Sequence, residues 1–148
     1  EAISRGAKRA VMIEKDGEAL KYIIENIDNL GFSDRCRAYK NDAIRAIEIL
    51  GRKNEKFDII FMDPPYQDNV TKKVLKAINK ANILAEDGLI ICEHHLLEDL
   101  EDNIASFRKT DERKYNKKIL TFYTRWLIVF LEKIFYVSSF TSQLLDSH

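Results

Sequence analysis

The chain has 148 residues, room for one domain, and 45% of them are hydrophobic and 32% charged, with 5 glycines and 2 prolines. This composition is typical of a globular protein and excludes disordered, collagen-like and low-complexity classes. The 24 basic and 24 acidic side chains give a formal net charge of zero, so no overall basic field attracts the protein to nucleic acid.

The cysteines and the apolar runs narrow the class of protein further. Cys36 and Cys92 are far apart and match no metal-ligand spacing, so we expect neither a disulfide framework nor a bound metal, and a reducing cytoplasm is the favoured location. Residues 1–9 lack the apolar core of a signal peptide. No apolar run reaches about 18 residues, so we expect no membrane span.

The first part of the chain alternates between apolar runs and helical periodicity. Residues 10–13 predict a buried strand, and residues 17–30 predict a helix. Gly31 stands where a left-handed C-terminal cap is expected, and residues 35–39 predict a weaker strand. The apolar residues at helical spacing, which form the predicted inner face of the helix, are Leu20, Ile23, Ile24, Ile27 and Leu30.

The same alternation continues through the middle of the chain. Asn41 or Asp42 is in position to cap a helix over residues 43–50. Residues 57–62, with the sequence FDIIFM, are almost entirely apolar and predict a central parallel strand covered on both faces. Residues 70–82 predict a helix, whose inner face is Val74, Leu75 and Ile78.

The last predicted elements are strands. Residues 88–92, GLIIC, predict another fully buried strand. Residues 106–115 and 119–125, separated by a polar break at Asn116, predict a terminal antiparallel hairpin. The alternation of strands and helices indicates an α/β fold with right-handed crossovers.

Acidic side chains stand at or just after the ends of four predicted strands. Ligands of open α/β sheets bind at the carboxyl ends of the strands, so these carboxylates are the first indication of a functional site. They are Glu14, Asp42, Asp63 and Glu93.

The sequence Asp63-Pro64-Pro65-Tyr66 directly follows the FDIIFM strand. An exocyclic amine on a nucleobase is a poor nucleophile, because its lone pair is delocalised into the ring, and acceptors for its N–H bonds favour the tetrahedral nitrogen that attacks a methyl group. The Asp63 carboxylate and the Pro64 carbonyl can be these acceptors, since two prolines stiffen the corner and remove N–H donors. Tyr66 offers a ring on which a base can stack. The alternative is a plain strand-ending turn.

This motif resembles that of S-adenosylmethionine-dependent amino-methyltransferases. The blocks EAISRGAKRAVMIEKD, the ND of YKNDAIRAI, LAEDGLIICEHH and RKYNKKILTFY resemble the family that methylates guanine N2 in small-subunit ribosomal RNA, over residues 1 to about 125. The resemblance implies an α/β fold, with a Rossmann-like class I methyltransferase sheet and a C-terminal antiparallel hairpin. It predicts a partial methyltransferase domain over residues 1–125 and an extension foreign to the family over residues 126–148.

The resemblance also implies a cofactor site. Glu14, with Lys15 beside it, would bind the ribose hydroxyls of S-adenosylmethionine, and Asp42, with Ala43 beside it, would accept from the adenine amino group. Asp63 would lie against the cofactor as well as the substrate. The alternatives are a solvated strand end or a pair with Lys15 for Glu14, and a plain helix cap for Asp42.

The same resemblance implies how RNA is held. The residues that would grip and stack a guanine flipped out of its RNA are Asp63, Pro64, Pro65 and Tyr66. The residues of the hairpin turn that would contact the RNA backbone are Lys114, Tyr115 and Lys117. That turn lies in a basic stretch, residues 108–118, which follows an acidic stretch, residues 86–102; two solvated faces are the alternative interpretation. A lone histidine is more often structural than part of a site, so we expect a structural role for His94, near the same edge, with a site role as the alternative.

The family begins with a strand and a glycine-rich loop ahead of the first block, and no Gly-x-Gly occurs in the 148 residues. We therefore expect a sheet that is missing its first strand, two unpaired inner edges, and a fragment with little activity by itself. Alternatively, residues 127–131 fill the gap by pairing beside residues 57–62.

The predicted function is methyl transfer from S-adenosylmethionine to the N2 amine of a guanine in small-subunit ribosomal RNA. The zero net charge favours a substrate presented within a small-subunit particle over naked RNA. One alternative is a DNA or protein amino-methyltransferase with the same motif. Another is a non-catalytic remnant that binds RNA or a partner through residues 108–118.

Overall fold

The computed structural model describes residues 1–65 and 69–125. The chain divides into two compact units, Glu1–Lys53 and Asn54–His148, and each contains its own sheet. Two predicted features, the stacking ring of Tyr66 and the pairing of residues 127–131, lie outside the described residues. Over the described ranges, no helix is long and apolar enough to cross a membrane.

The first unit is built on a pair of parallel strands. They are β1 (Ala10–Glu14) and β2 (Cys36–Lys40). Helix α1 (Gly17–Asn29) makes the crossover between them, and α2 (Ala43–Arg52) follows β2. These elements confirm the predicted order of strands and helices. Parallel neighbouring strands need a long connection, and helix α1 provides it.

Local signals set the ends of α1, but its inner face is narrower than predicted. Asp16 caps the N-terminus by accepting two backbone N–H bonds, at 2.8 and 2.9 Å. Gly31 has φ of 68°, the left-handed conformation predicted for it. Ile24 is 43% exposed and Leu30 is 64% exposed. Both were predicted to face inward, but a two-stranded sheet covers only a narrow stripe of a helix.

The second unit contains a five-stranded mixed sheet in the order β3-β4-β7-β6-β5. Strands β3 and β4 are parallel and are joined through helix α3, while the other pairs are antiparallel. The bounds are β3 Phe57–Met62, α3 Val70–Ala81, β4 Leu84–His95, β5 Asn103–Ile104, β6 Phe107–Tyr115 and β7 Lys118–Arg125. The predicted hairpin is therefore confirmed as β6–β7, whereas β5 was not predicted, because two residues carry no periodicity.

The core of the second unit lies between α3 and the sheet. The residues predicted for the inner face of α3, Val74, Leu75 and Ile78, are all buried. In the sheet, Ile90 of β4 and Tyr123 of β7 are paired in register, and both are fully buried. Burial of this apolar surface, at about 25 cal/mol per Å², stabilises the packing of α3 on β4.

Strand β3 differs from the prediction of a strand covered on both faces. It is the edge strand of its sheet, paired only with β4 within the described residues. Met62 is buried and Ile60 is half-buried, whereas Ile59 is 61% exposed and Phe61 59% exposed. This alternation is that of a strand with one covered face, so the prediction of two covered faces was wrong.

Candidate active site

The carboxyl end of β1 carries the first predicted site residue. Glu14 ends the strand in register with Lys40 of β2, and its backbone carbonyl accepts the N–H of Asn41 at 3.1 Å. The Oε1 atom of Glu14 accepts the backbone N–H of Asp16 at 2.7 Å, which ties the side chain to the start of α1. The second oxygen takes no part in that bond and keeps its capacity to accept from a donor. Lys15, the next residue, is exposed.

Asp42 is the N-cap of α2, two residues after β2 ends. Its Oδ1 accepts the backbone N–H of Ile44 at 3.0 Å and of Arg45 at 3.1 Å. The helix-cap alternative is therefore confirmed for Asp42, and of the two candidate caps Asn41 is not the one used. Both cap bonds use one oxygen, so Oδ2 remains outside them, and Ala43 beside it is exposed. A cap and a ligand contact are thus compatible in one carboxylate.

The proline corner begins where β3 ends. Met62 pairs in register with Cys92 of β4, so Asp63 follows at the carboxyl end of a parallel strand pair. Asp63 and Pro65 are exposed and Pro64 is half-buried. No hydrogen bond or ion pair joins the Asp63 carboxylate to another described residue. An exposed carboxylate without an ionic partner at this edge is open to a ligand.

The end of β4 holds a side chain in an ion pair, Glu93, and a buried one, His94. The Glu93 carboxylate forms an ion pair with Lys118 of β7. His94 is 1% exposed, with Nε2 at 2.8 Å from the Thr121 hydroxyl and Nδ1 at 3.2 Å from the His95 carbonyl. A carbonyl only accepts, so Nδ1–H donates to it, while the Thr121 hydroxyl can serve as either donor or acceptor toward Nε2. Both ring nitrogens are satisfied in the core, which supports the structural role of His94.

Neither cysteine is exposed in the described part of the chain. Burial, and after it the Glu98 carboxylate, raises the pKa of Cys92 to about 12, so this thiol stays protonated at neutral pH and is a poor nucleophile. Cys36 is also buried and unpaired. In residues 1–65 and 69–125, no group of three or more His, Cys, Asp or Glu side chains is placed to hold a metal ion.

Cations of the basic stretch are paired with carboxylates, both of the acidic stretch and within the basic stretch itself. Lys109 Nζ lies 3.5 Å from Asp102 and 3.3 Å from Glu112, with only 17% of its side chain exposed. Arg113 Nε lies 2.9 Å from Asp111. These cations are engaged within the second unit, so the basic stretch is not a uniform surface for phosphates.

The turn between β6 and β7 presents the predicted RNA-contacting residues together. Tyr115 is 55% exposed. The Lys114 side chain is 66% exposed, and the nearest carboxylate, on Glu112, is 3.9 Å away. Asn116 turns the chain with φ of 53°, and exposed Lys117 follows it. The tip therefore combines positive charge with an exposed aromatic ring.

The loop after β4 was not singled out from the sequence. Leu97 is 86% exposed and Leu96 is 47% exposed. The N–H of Leu96 donates to the Lys117 carbonyl at 3.0 Å, which places this loop beside the hairpin tip. The sequence feature that could have indicated this loop is the Leu96–Leu97 pair inside an otherwise acidic stretch. Two adjacent apolar residues have no helical or strand periodicity, so a search for such periodicity does not detect them.

Two known proteins are similar to this chain in sequence. "Putative rRNA methyltransferase YlbH" of Bacillus subtilis is 30% identical over 115 residues, which are 78% of this chain and 62% of that protein. "Ribosomal RNA small subunit methyltransferase D" of Escherichia coli is 28% identical over 93 residues, 63% of this chain and 45% of that protein. The chain thus spans less than two thirds of the length of either relative.

A solved "putative methylase" from Haemophilus influenzae has a TM-score of 0.74 and 21% identity, over 84% of this chain and 76% of that one. This likeness confirms the predicted α/β fold. The family model described as "Conserved hypothetical protein 95" matches residues 1–124. The chain therefore belongs to the conserved hypothetical protein 95 family.

Proposed function

We propose that the protein transfers a methyl group from S-adenosylmethionine to the N2 amine of a guanine in small-subunit ribosomal RNA. The names of the two curated relatives support ribosomal RNA as the substrate class. The position of Asp63 carries the proposal: it is exposed, follows β3 directly, and has no ionic partner among the described residues. Such a substrate places the protein in the cytoplasm, acting on a small-subunit particle.

Asp63 and the Pro64 carbonyl accept the two N–H bonds of the target amine. This grip draws the nitrogen toward a tetrahedral geometry and frees its lone pair for attack. The bound cofactor supplies an electrophilic methyl group on a sulfonium centre. As positive charge develops on N2, the negative charge of the Asp63 carboxylate stabilises the transition state. The nitrogen then releases one proton to Asp63 or to solvent. Pro65 adds no competing N–H, and the Tyr66 ring stacks on the base.

Glu14 and Asp42 bind the cofactor in this proposal. The ribose hydroxyls and the adenine amino group are hydrogen-bond donors, and each carboxylate has one oxygen outside its backbone hydrogen bonds to accept from them. Lys15 and Ala43 are both exposed beside these carboxylates. None of these contacts reaches the methionine part of the cofactor, so we propose that residues 1–148 alone bind it weakly.

Lys114, Tyr115 and Lys117 contact the RNA backbone near the target. Their exposure at the hairpin tip supports this role, since the contact of Lys114 with Glu112, at 3.9 Å, is longer than those of Lys109 and Arg113 with their carboxylates. Phosphate contacts of this kind position the RNA without reading its sequence.

The test is Asp63→Ala at the chromosomal locus, with Asp58→Ala as the matched control, because Asp58 is an exposed acid at the other end of the same strand. We expect Asp63→Ala to remove one N2-methylguanine from small-subunit RNA, measured by mass spectrometry of RNA fragments, and Asp58→Ala to retain it. Unchanged RNA methylation in the Asp63→Ala strain would overturn the proposal. A methylated base lost from DNA instead would establish the DNA-modifying alternative.

A further inference from the structure

The loop after β4 carries an apolar side chain that neither the fold nor the proposed reaction uses. Leu97 is 86% exposed, the largest exposure of any large apolar residue in the part of the chain that the structure describes. A single exposed leucine is ordinary on a protein surface. Leu97 differs from an ordinary exposed leucine in two respects, the hydrogen bonds that hold its loop and the position of that loop beside the hairpin tip.

The backbone on both sides of Leu97 is fixed. His94 lies in the core on one side, and Leu100, only 2% exposed, lies in the core on the other. The N–H of Leu97 donates to His95 Nδ1 at 3.2 Å, and the N–H of Glu98 donates to the His95 carbonyl at 2.9 Å. The exposed side chain thus projects from an ordered turn, and little conformational entropy is lost when it meets a partner.

Leu97 also lies at the edge of the sheet to which the proposed RNA contacts belong. The hydrogen bond from Leu96 to the Lys117 carbonyl holds the loop beside the hairpin tip. Cys92 is level with Met62, the last residue before the proline corner, and β4 continues for three residues beyond Cys92. At about 3.3 Å per residue, the loop begins about 10 Å further along the strand direction than the corner.

We propose that Leu97 inserts into the RNA stack at the place vacated by the target guanine. This role rests on the proposed function, because a guanine held at Asp63 must leave its stack. The gap that it leaves is unfavourable, and apolar wedges fill such gaps in other nucleic-acid complexes. Lysines at the neighbouring hairpin tip hold the phosphates while Leu97 occupies the gap. Leu97 is therefore a positioning residue that touches the RNA but not the reacting atoms.

The experiment compares Leu97→Ala with Leu30→Ala, a matched control because Leu30 is an exposed leucine, 64% exposed, in the first unit. The purified proteins methylate two RNAs of the same target sequence, one with the guanine base-paired in a helix and one with it unpaired in a single strand. We expect Leu97→Ala to lower kcat/KM about tenfold on the paired RNA and less than about twofold on the unpaired RNA. Leu97→Met, which keeps the apolar volume, restores the rate, and Leu30→Ala matches the unsubstituted protein on both RNAs.

Each outcome decides the matter. An equal loss on both RNAs, or no loss on either, overturns the wedge while the proposed function stands. No methyl transfer to either RNA by the unsubstituted protein overturns the wedge as a step on these RNAs, whereas the proposed function is decided separately by the methylation of small-subunit RNA in the Asp63→Ala strain. The control is the midpoint temperature of thermal unfolding. If Leu97→Ala has the same midpoint as the unsubstituted protein, its lower rate does not come from a loss of folded protein.

Discussion

Ile59 and Ile90 lie on neighbouring strands and differ sharply in exposure, 61% against 0%. Replacing each with threonine keeps the branched Cβ and so nearly the same strand propensity. Ile90→Thr removes packed methyl groups and buries a hydroxyl, at a cost of about 2–5 kcal/mol. At Ile59 only about two fifths of the side chain leaves water on folding. Scaled from about 1.5–3 kcal/mol for complete burial, Ile59→Thr costs about 1 kcal/mol or less.

Urea unfolding followed by far-ultraviolet circular dichroism measures both costs, as shifts of the midpoint at constant slope. Phe61→Thr is a second exposed substitution on the same face, at 59% exposure, and gives a similarly small shift. Sedimentation at the same concentration controls for self-association, because an exposed apolar edge strand favours it. Equal costs at Ile59 and Ile90 would show that the Ile59 face is covered in the protein, and the description of β3 as a one-sided strand would be wrong.

Substitutions at two further residues, Asp42 and Cys92, test single groups. Asp42→Ala lowers the free energy of unfolding by about 1 kcal/mol, because α2 loses its N-cap. Asp42→Asn keeps the cap and most of that free energy. Thermal unfolding compares the two variants, and equal destabilisation by both would contradict the capping role. The pKa of Cys92 is about 12 in the folded protein against an ordinary 9.0, so above pH 9 the unfolded state binds fewer protons than the folded state and stability falls as the pH rises. Relative to Cys92→Ala, the loss is about 1.4 kcal/mol at pH 10 and is absent at pH 7. Urea unfolding at both pH values measures it, and identical pH dependence in the two proteins would refute the assignment.

Much of the secondary structure could be predicted because its causes act within a few residues. The apolar run at residues 57–62 has the bounds of β3, and the positive φ of Gly31 and Asn116 ends α1 and turns the hairpin. The covering of β3 could not be predicted in this way. Composition reports how apolar a strand is, whereas burial depends on which elements lie beside it, and Ile59 and Phe61 have no such cover among the described residues.

The candidate site residues differ in the same way, between positions set by local sequence and contacts set by the fold. The place of Asp63 followed from the sequence because the motif adjoins the end of its strand. The hydrogen-bond partner of His94 did not, since Thr121, whose hydroxyl lies 2.8 Å from Nε2, is 27 residues further along the chain. The fixed position of Leu97 likewise depends on hydrogen bonds to His95 that only the folded loop creates.

The four carboxylates predicted as one set are not equivalent in the folded chain. The Glu93 carboxylate is only 19% exposed and is paired with Lys118, so its charge is already compensated. Glu14 and Asp42 each commit one oxygen to backbone N–H groups and keep the other. Asp63 commits neither oxygen to a described residue. A carboxylate that must stabilise charge developing on a substrate needs its full charge uncompensated beforehand, and by that criterion Asp63 suits catalysis, while Glu14 and Asp42 suit binding of neutral donors.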